Sequence, residues 1–203
     1  MEDKEITKAE PLEITYDAGG TEVSLNEQVI RSYVCNGRED VPEAEIAKFA
    51  FLCQARRLNP FVDVVPTVYG NGSKAKISIV TTKDYHVRLA NSHPDFDGMD
   101  AGIIVMAPDG SAIEKRKGSM VPPGWVLVGG WAEVYRKSWS HSSYDEVSLA
   151  EYDQGQSLWL SKPATMIRKV AVDHALREAF SAELGGVYGE EEMPVVEAVS
   201  VDD

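Results

Sequence analysis

The order of its periodic segments predicts an α+β fold for this chain. A curved antiparallel β-sheet, a hairpin plus about three strands, is covered by a long C-terminal helix and preceded by an N-terminal helical segment. Three observations carry this. The stretch Ser161–Leu184, SKPATMIRKVAVDHALREAFSAEL, spaces its apolar residues at helical intervals. Ala75, Ile77 and Ile79 alternate with Lys74, Lys76 and Ser78, the period of a half-buried strand. Further apolar runs up to Tyr152 are separated by turn residues rather than by a second long helix.

Taken in order, residues 1–25 read as a loosely ordered or short-strand segment, and Val29–Tyr33 as a turn of helix. Pro42 starts a helix with Ile46, Phe49, Ala50 and Cys53 on one face, and Asn59-Pro60 stops it, because a residue before proline resists helical angles. Arg56-Arg57 near its end complement the helix dipole. Phe61–Tyr69 and Lys74–Thr81 form the hairpin around Gly70-Asn71-Gly72-Ser73. Thr82 caps a short helix presenting Lys83, Tyr85 and Arg88, and His93-Pro94 to Gly98 is a turn. Ala101–Met106 is a strand, and Glu114-Lys115-Arg116-Lys117-Gly118 reads as a basic loop. Val126–Lys137 is a strand with a bulge or bend at Gly129-Gly130, and a strand near Asp145–Tyr152 leads past Trp159 to the long helix. There Ser161 is the expected cap, Pro163 sits in the first turn, and Gly185-Gly186 end a rod of roughly 35 Å. One side of that helix carries Ile167, Ala171, Val172, Ala175, Leu176 and Ala179. The other carries Lys162, Met166, Lys169, Asp173, Arg177 and Phe180, so Lys162, Lys169 and Arg177 form a cationic line, with Arg168 set apart among the alanines. That line fits a solvated ladder of i,i+4 pairs as well as a phosphate-tracking edge.

The net charge of −13 would oppose binding to nucleic acid if it were spread evenly. It is not: residues 1–48 carry −7, residues 183–203 carry −7, and residues 49–182 carry +1. The expected division is an acidic N-terminal segment at 1–40, a core domain at 41–186 and an acidic, flexible tail at 187–203. No run of apolar residues is long enough to span a membrane, and the acidic N-terminus lacks a signal core. Cys35 and Cys53 read as reduced core residues, which fits the cytoplasm.

Covalent chemistry finds little support. Gly70-Asn71-Gly72-Ser73-Lys74 lacks phosphate-loop spacing and joins strand to strand. His86, His93, His141 and His174 share no metal-like spacing with each other or with the cysteines. Asp95, Asp97 and Asp100 supply hard oxygen ligands, but turn chemistry accounts for them equally. A metal-dependent DNA nuclease needs Pro94-Asp95 followed by an acid-x-lysine triplet, and Glu114-Lys115-Arg116 puts arginine where lysine is wanted. A non-catalytic interaction or scaffold protein is the other alternative. What the chain does carry is cations interleaved with aromatics, the combination that holds single strands: Lys74, Lys76, Arg88, Arg136, Lys137, Lys162, Arg168, Lys169 and Arg177, with Tyr85 and Trp159.

Four stretches, FLCQARRLNPF (Phe51–Phe61), ANSHPDFDGMDA (Ala90–Ala101), AEVYRK (Ala132–Lys137) and KPATMIRKVAVDHALREAF (Lys162–Phe180), resemble the RecT/Redβ (Bet) family of phage single-strand annealing recombinases. The similarity runs in order from about Glu43 to Met193. It implies a protein that coats single-stranded DNA and anneals complementary strands without ATP. Such a protein is not an enzyme, requires no cofactor (magnesium being compatible, not implied), and works in the cytoplasm of a phage or prophage host. It also implies a homo-oligomeric ring or helical filament and a partner 5′→3′ exonuclease, with the annealed duplex as product. By the resemblance, Arg168, Lys169, Arg177, Arg136 and Lys137 match basic positions that contact the DNA backbone. Asn59-Pro60-Phe61 and Asp97-Gly98-Met99 match structural positions. The chain stops soon after the core, where longer members carry a recruiting module. The binding groove is expected between the sheet and the long helix.

Overall fold

The computed structural model describes residues 11–185. The chain divides into two compact units, one ending at Val80 and the other beginning at Thr81. The expected acidic tail at 187–203 lies outside the described residues.

The first unit opens with a hairpin, β1 (Glu13–Asp17) and β2 (Glu22–Asn26), where a loosely ordered or short-strand segment was expected. Its turn is held locally: both Asp17 carboxylate oxygens accept from the Gly20 amide at 3.1 Å. Val23 and Leu25 alternate inward. Asn26 caps α1 (Glu27–Val29), which runs into a π turn, Ile30–Val34. Arg31 fastens that turn, donating to Glu27 at 2.8 Å and to the Val41 carbonyl at 3.0 Å. Helix α2 (Glu43–Ala55) buries Ile46, Phe49, Ala50 and Cys53, the face its periodicity predicts. It stops four residues before Asn59-Pro60, because Arg57 adopts φ 51° and the Leu58 amide turns back to the Cys53 carbonyl. Strands β3 (Val64–Tyr69) and β4 (Lys76–Thr81) form a separate two-stranded sheet rather than part of one larger sheet.

The second unit is built on a four-stranded antiparallel sheet of order β6-β5-β7-β8: β5 (Phe96–Met106), β6 (Ile113–Lys117), β7 (Val126–Arg136) and β8 (Ser143–Ser148). Strand β5 begins five residues earlier than expected, absorbing Asp97-Gly98 through an irregularity between Phe96 and Met99. The basic segment expected as a loop is the edge strand β6, with Arg116 opposite Ile103 and Lys115 opposite Ile104. Charges are at home on an exposed edge, where they discourage pairing with another chain. The bulge expected at Gly129-Gly130 falls at Val128, between the pairs Ile104–Gly129 and Val105–Leu127.

Thr82 caps α3 (Lys83–Ser92) as expected, its hydroxyl accepting from the Tyr85 amide. After β8 come two short helices, α4 (Leu149–Tyr152) and α5 (Leu158–Ser161), then the long helix α6 (Pro163–Ala179). Ser161 ends α5 instead of capping α6; Lys162 takes the cap position with no side-chain hydrogen bond. Helix α6 is shorter than expected, about 25 Å. It breaks at Phe180, and one more turn, α7 (Ser181–Leu184), follows before Gly185, which is extended rather than left-handed. The break has a cause: the Ala179 carbonyl accepts from Arg136 at 2.6 Å, and the buried Phe180 ring packs on His93 and Phe96. Both sides of α6 are enclosed. Ile167, Ala171, Ala175 and Leu176 are buried, and so are Met166, Asp173 and Phe180 on the side expected to face solvent.

Candidate nucleic-acid interface

The expected groove between sheet and helix is closed where α6 crosses β7. A methyl group on Gly130 of β7 would lie 2.5 Å from the Ile167 carbonyl oxygen of α6, so backbone meets backbone. Nothing the size of a DNA strand passes between the two backbones at that crossing.

One flank of α6 is the seam with α3. Buried Asp173 accepts from Nδ1 of buried His86 at 2.9 Å, and the opposite ring nitrogen lies 2.7 Å from the Thr81 hydroxyl. A carboxylate this deep needs such a partner, and the pair fixes α6 against α3. Lys169 and Arg177 stand one turn to either side of Asp173, half-buried, each engaged by other groups of the chain. Lys162 is exposed at the helix start, and Arg88 is exposed on α3 with its guanidinium 5.8 Å from the Tyr85 ring. The helical stripe predicted from the sequence is therefore present, but its central acid faces inward to a histidine.

The other flank faces β5. Arg168 points about 100° away from Lys169, as one helical step requires. Half-buried, its Nε donates to the Ala101 carbonyl at 3.4 Å, and that oxygen also accepts the Gly118 amide at the end of β6. On β6, Lys117 pairs with Asp100 at 2.7 Å and Arg116 with Glu114 at 3.3 Å. Lys115 pairs with Glu146 and lies 4.7 Å from the Tyr144 ring. That carboxylate and the Tyr144 hydroxyl push the Lys115 pKa up, and the same ammonium pulls the Glu146 pKa down.

Three expected contacts belong to the scaffold instead. Tyr85 and Trp159 are each 4% exposed, so their rings pack in the core and offer no face to a base. Arg136 donates to Asp95 at 2.7 Å and to the Ala179 carbonyl, with its guanidinium between the Trp139 and Phe180 rings. Asp95 also accepts the Ser138 hydroxyl and amide, and these bonds with Arg136 hold its pKa down at about 2. Lys137 is exposed, its ammonium donating to the Pro94 carbonyl at 2.8 Å.

Lys74 and Lys76 lie in the first unit, both exposed, at the end of the loop joining β3 to β4. Arg38 and Asp40 staple that loop: Arg38 donates to the Gly70 carbonyl at 2.7 Å, and Asp40 accepts the Gly72 amide at 2.8 Å. Sequence reasoning missed this staple, and it missed exposed Trp139; in KSWSHSS an indole amid serines at a strand end was the available signal.

The nuclease geometry does not assemble. Asp95 immediately precedes β5, whereas Glu114 pairs with Val105 near the far end of that strand. The two carboxylates are thus separated by nearly the length of β5, about 30 Å. Among the described residues no cluster of three or more His, Cys, Asp or Glu is placed to hold a metal, and no helix is long and apolar enough to cross a membrane.

The RecT family model matches residues 23–203. A Ureaplasma parvum serovar 3 protein, described as uncharacterized, is 29% identical over 160 residues, which is 76% of this chain. The chain spans 63% of the length of that relative.

Proposed function

The chain belongs to the RecT family, a family of DNA recombination and annealing proteins, and from that premise we propose that it binds single-stranded DNA and anneals complementary strands without nucleotide hydrolysis. The observation that supports this most directly is the cationic stripe along α6, with Lys162 and Arg88 exposed and Lys169 and Arg177 half-buried beside the α3 seam. Arg168 and Lys137 add positive charge on other faces of the second unit, and Lys74 and Lys76 on the first.

Charges of this kind neutralise phosphates and release counterions, which makes affinity depend steeply on salt. The free energy of annealing comes from base pairing. The protein lowers the repulsion between two polyanions and keeps bases extended, so no covalent step and no ATP are needed. Neighbouring copies in a ring or filament extend the binding surface, and a 5′→3′ exonuclease supplies the strand. Copy number and exonuclease are separable from the annealing reaction itself.

The test is a mobility-shift and strand-annealing assay with ATP and magnesium varied. Expected are retention of a labelled oligonucleotide at low salt, annealing unchanged by ATP, and intact DNA in magnesium. Failure to retain an oligonucleotide even at low salt removes the proposal in favour of a scaffold role.

A further inference from the structure

The end of β7 carries a column of planar groups that the cationic stripe does not explain. Phe180 lies 4.8 Å from the Arg136 guanidinium, which lies 4.7 Å from the Trp139 ring. Trp139 in turn stacks on His141, with centroids 5.7 Å apart and planes 24° from parallel. The column is anchored at its base, because Phe180 is buried and Arg136 is bonded to Asp95 and to the Ala179 carbonyl. It is held at the turn as well: the Trp139 amide donates to the Arg136 carbonyl, and Asp95 grips Ser138 through two hydrogen bonds. Its outer end is accessible, with Trp139 38% exposed and His141 exposed.

Beside this column is a pocket of about 390 Å³, lined by Trp139, His141, Ser142, Ser143, Tyr144 and Glu178. That volume lies within the ~300–1,000 Å³ of ligand sites. Its lining combines the Trp139 and His141 rings with the Ser142 and Ser143 hydroxyls and one carboxylate. The Glu178 carboxylate is exposed and accepts the Ser143 hydroxyl at 2.9 Å through one oxygen. An acid here is ill suited to phosphate but well suited to an N–H donor carried on a flat ring.

We infer that this pocket holds a nucleobase of the bound strand, which continues the Arg136–Trp139–His141 column and donates its exocyclic amine to Glu178. The inference rests on the single-strand reading above and adds base recognition to it. Stacking accepts any base, because every base has a π face. The carboxylate then favours cytosine, adenine or guanine over thymine, which has no exocyclic amine.

The experiment compares fluorescence-polarisation binding of labelled oligodeoxycytidine, oligothymidine and an abasic strand of equal length to the full chain. Wild-type protein is expected to prefer deoxycytidine to the abasic strand by about fivefold or more. Trp139→Ala should bring that ratio towards one, Trp139→Phe should retain most of it, and the salt dependence should stay unchanged in both. Glu178→Gln should erase the preference for deoxycytidine over thymidine while leaving the preference over the abasic strand. Circular dichroism checks that each variant is folded. A Trp139→Ala protein with the wild-type ratio overturns the inference, as does equal wild-type binding of deoxycytidine and the abasic strand, in which case phosphate-driven binding still stands. If wild type retains none of the three strands at low salt, the single-strand reading falls and the pocket assignment falls with it.

Discussion

At the scale of single residues, Asp95 shows how a carboxylate can look like a catalytic or metal ligand in the sequence and turn out to be a brace. Its partners favour the charged form, so its folded pKa drops from 3.8 to about 2. A depressed carboxylate contributes stability that is fully present above its unfolded pKa and is lost as pH falls through the folded one. Asp95→Asn should therefore lower the urea midpoint at neutral pH, with the gap from wild type closing between about pH 4 and pH 2. A gap that stays constant across that range would contradict the brace. Arg168 makes a different case. Its hydrogen bond to the Ala101 carbonyl, 3.4 Å, is long and contributes little to the fold. Arg168→Ala is expected to keep wild-type helicity and lose strand annealing; normal annealing in a folded variant would place Arg168 outside the interface.

At the scale of elements, the crossing of α6 over β7 brings backbone against backbone. Only a hydrogen fits between the Gly130 Cα and the Ile167 carbonyl, and neither backbone can yield without distorting the sheet or the helix. Gly130→Ala should cost ~1–3 kcal/mol in a urea titration, as overpacking in a tight core does. A cost near zero would mean that the helix rides more loosely than the geometry says. The same elements show what the sequence made legible. The buried face of α2, the Thr82 cap and the hairpin turn all follow from local rules, and all three are present. Strand β6 was hidden because an edge strand of Ile-Glu-Lys-Arg-Lys buries almost nothing and so shows no alternation. The end of α6 was hidden because no glycine or proline stops it; a guanidinium from β7 takes the carbonyl. Of the candidate site, the α6 stripe could be read from helical spacing, whereas the burial of Tyr85 and Trp159 could not, since an aromatic beside cations looks the same whether it meets a base or a core. The inward turn of Asp173 depends on His86, eighty-seven positions away in the chain.

At the scale of the whole molecule, the measurable consequence of the charge pattern is the dependence of affinity on salt. Four contacts from Lys162, Lys169, Arg177 and Arg88 would give a slope of about −3 in log affinity against log salt, at ~0.7 per phosphate on a single strand. Lys162→Ala should make that slope shallower by about 0.7, and an unchanged slope would take Lys162 off the binding surface. Adjacent residues of α6 add a mechanical corollary. Asp173 is fastened to His86 of α3, while His174 reaches away from it to Asp145 of β8, 2.9 Å off, and to the Tyr152 hydroxyl of α4. Neighbours on one turn thus hold the helix by opposite shoulders, like crossed guy-wires on a mast. Such a mast resists both rolling and sliding, so the helix, its sheet and α3 answer to load as a single plank. On the proposed function, that plank keeps its shape while two strands find their match.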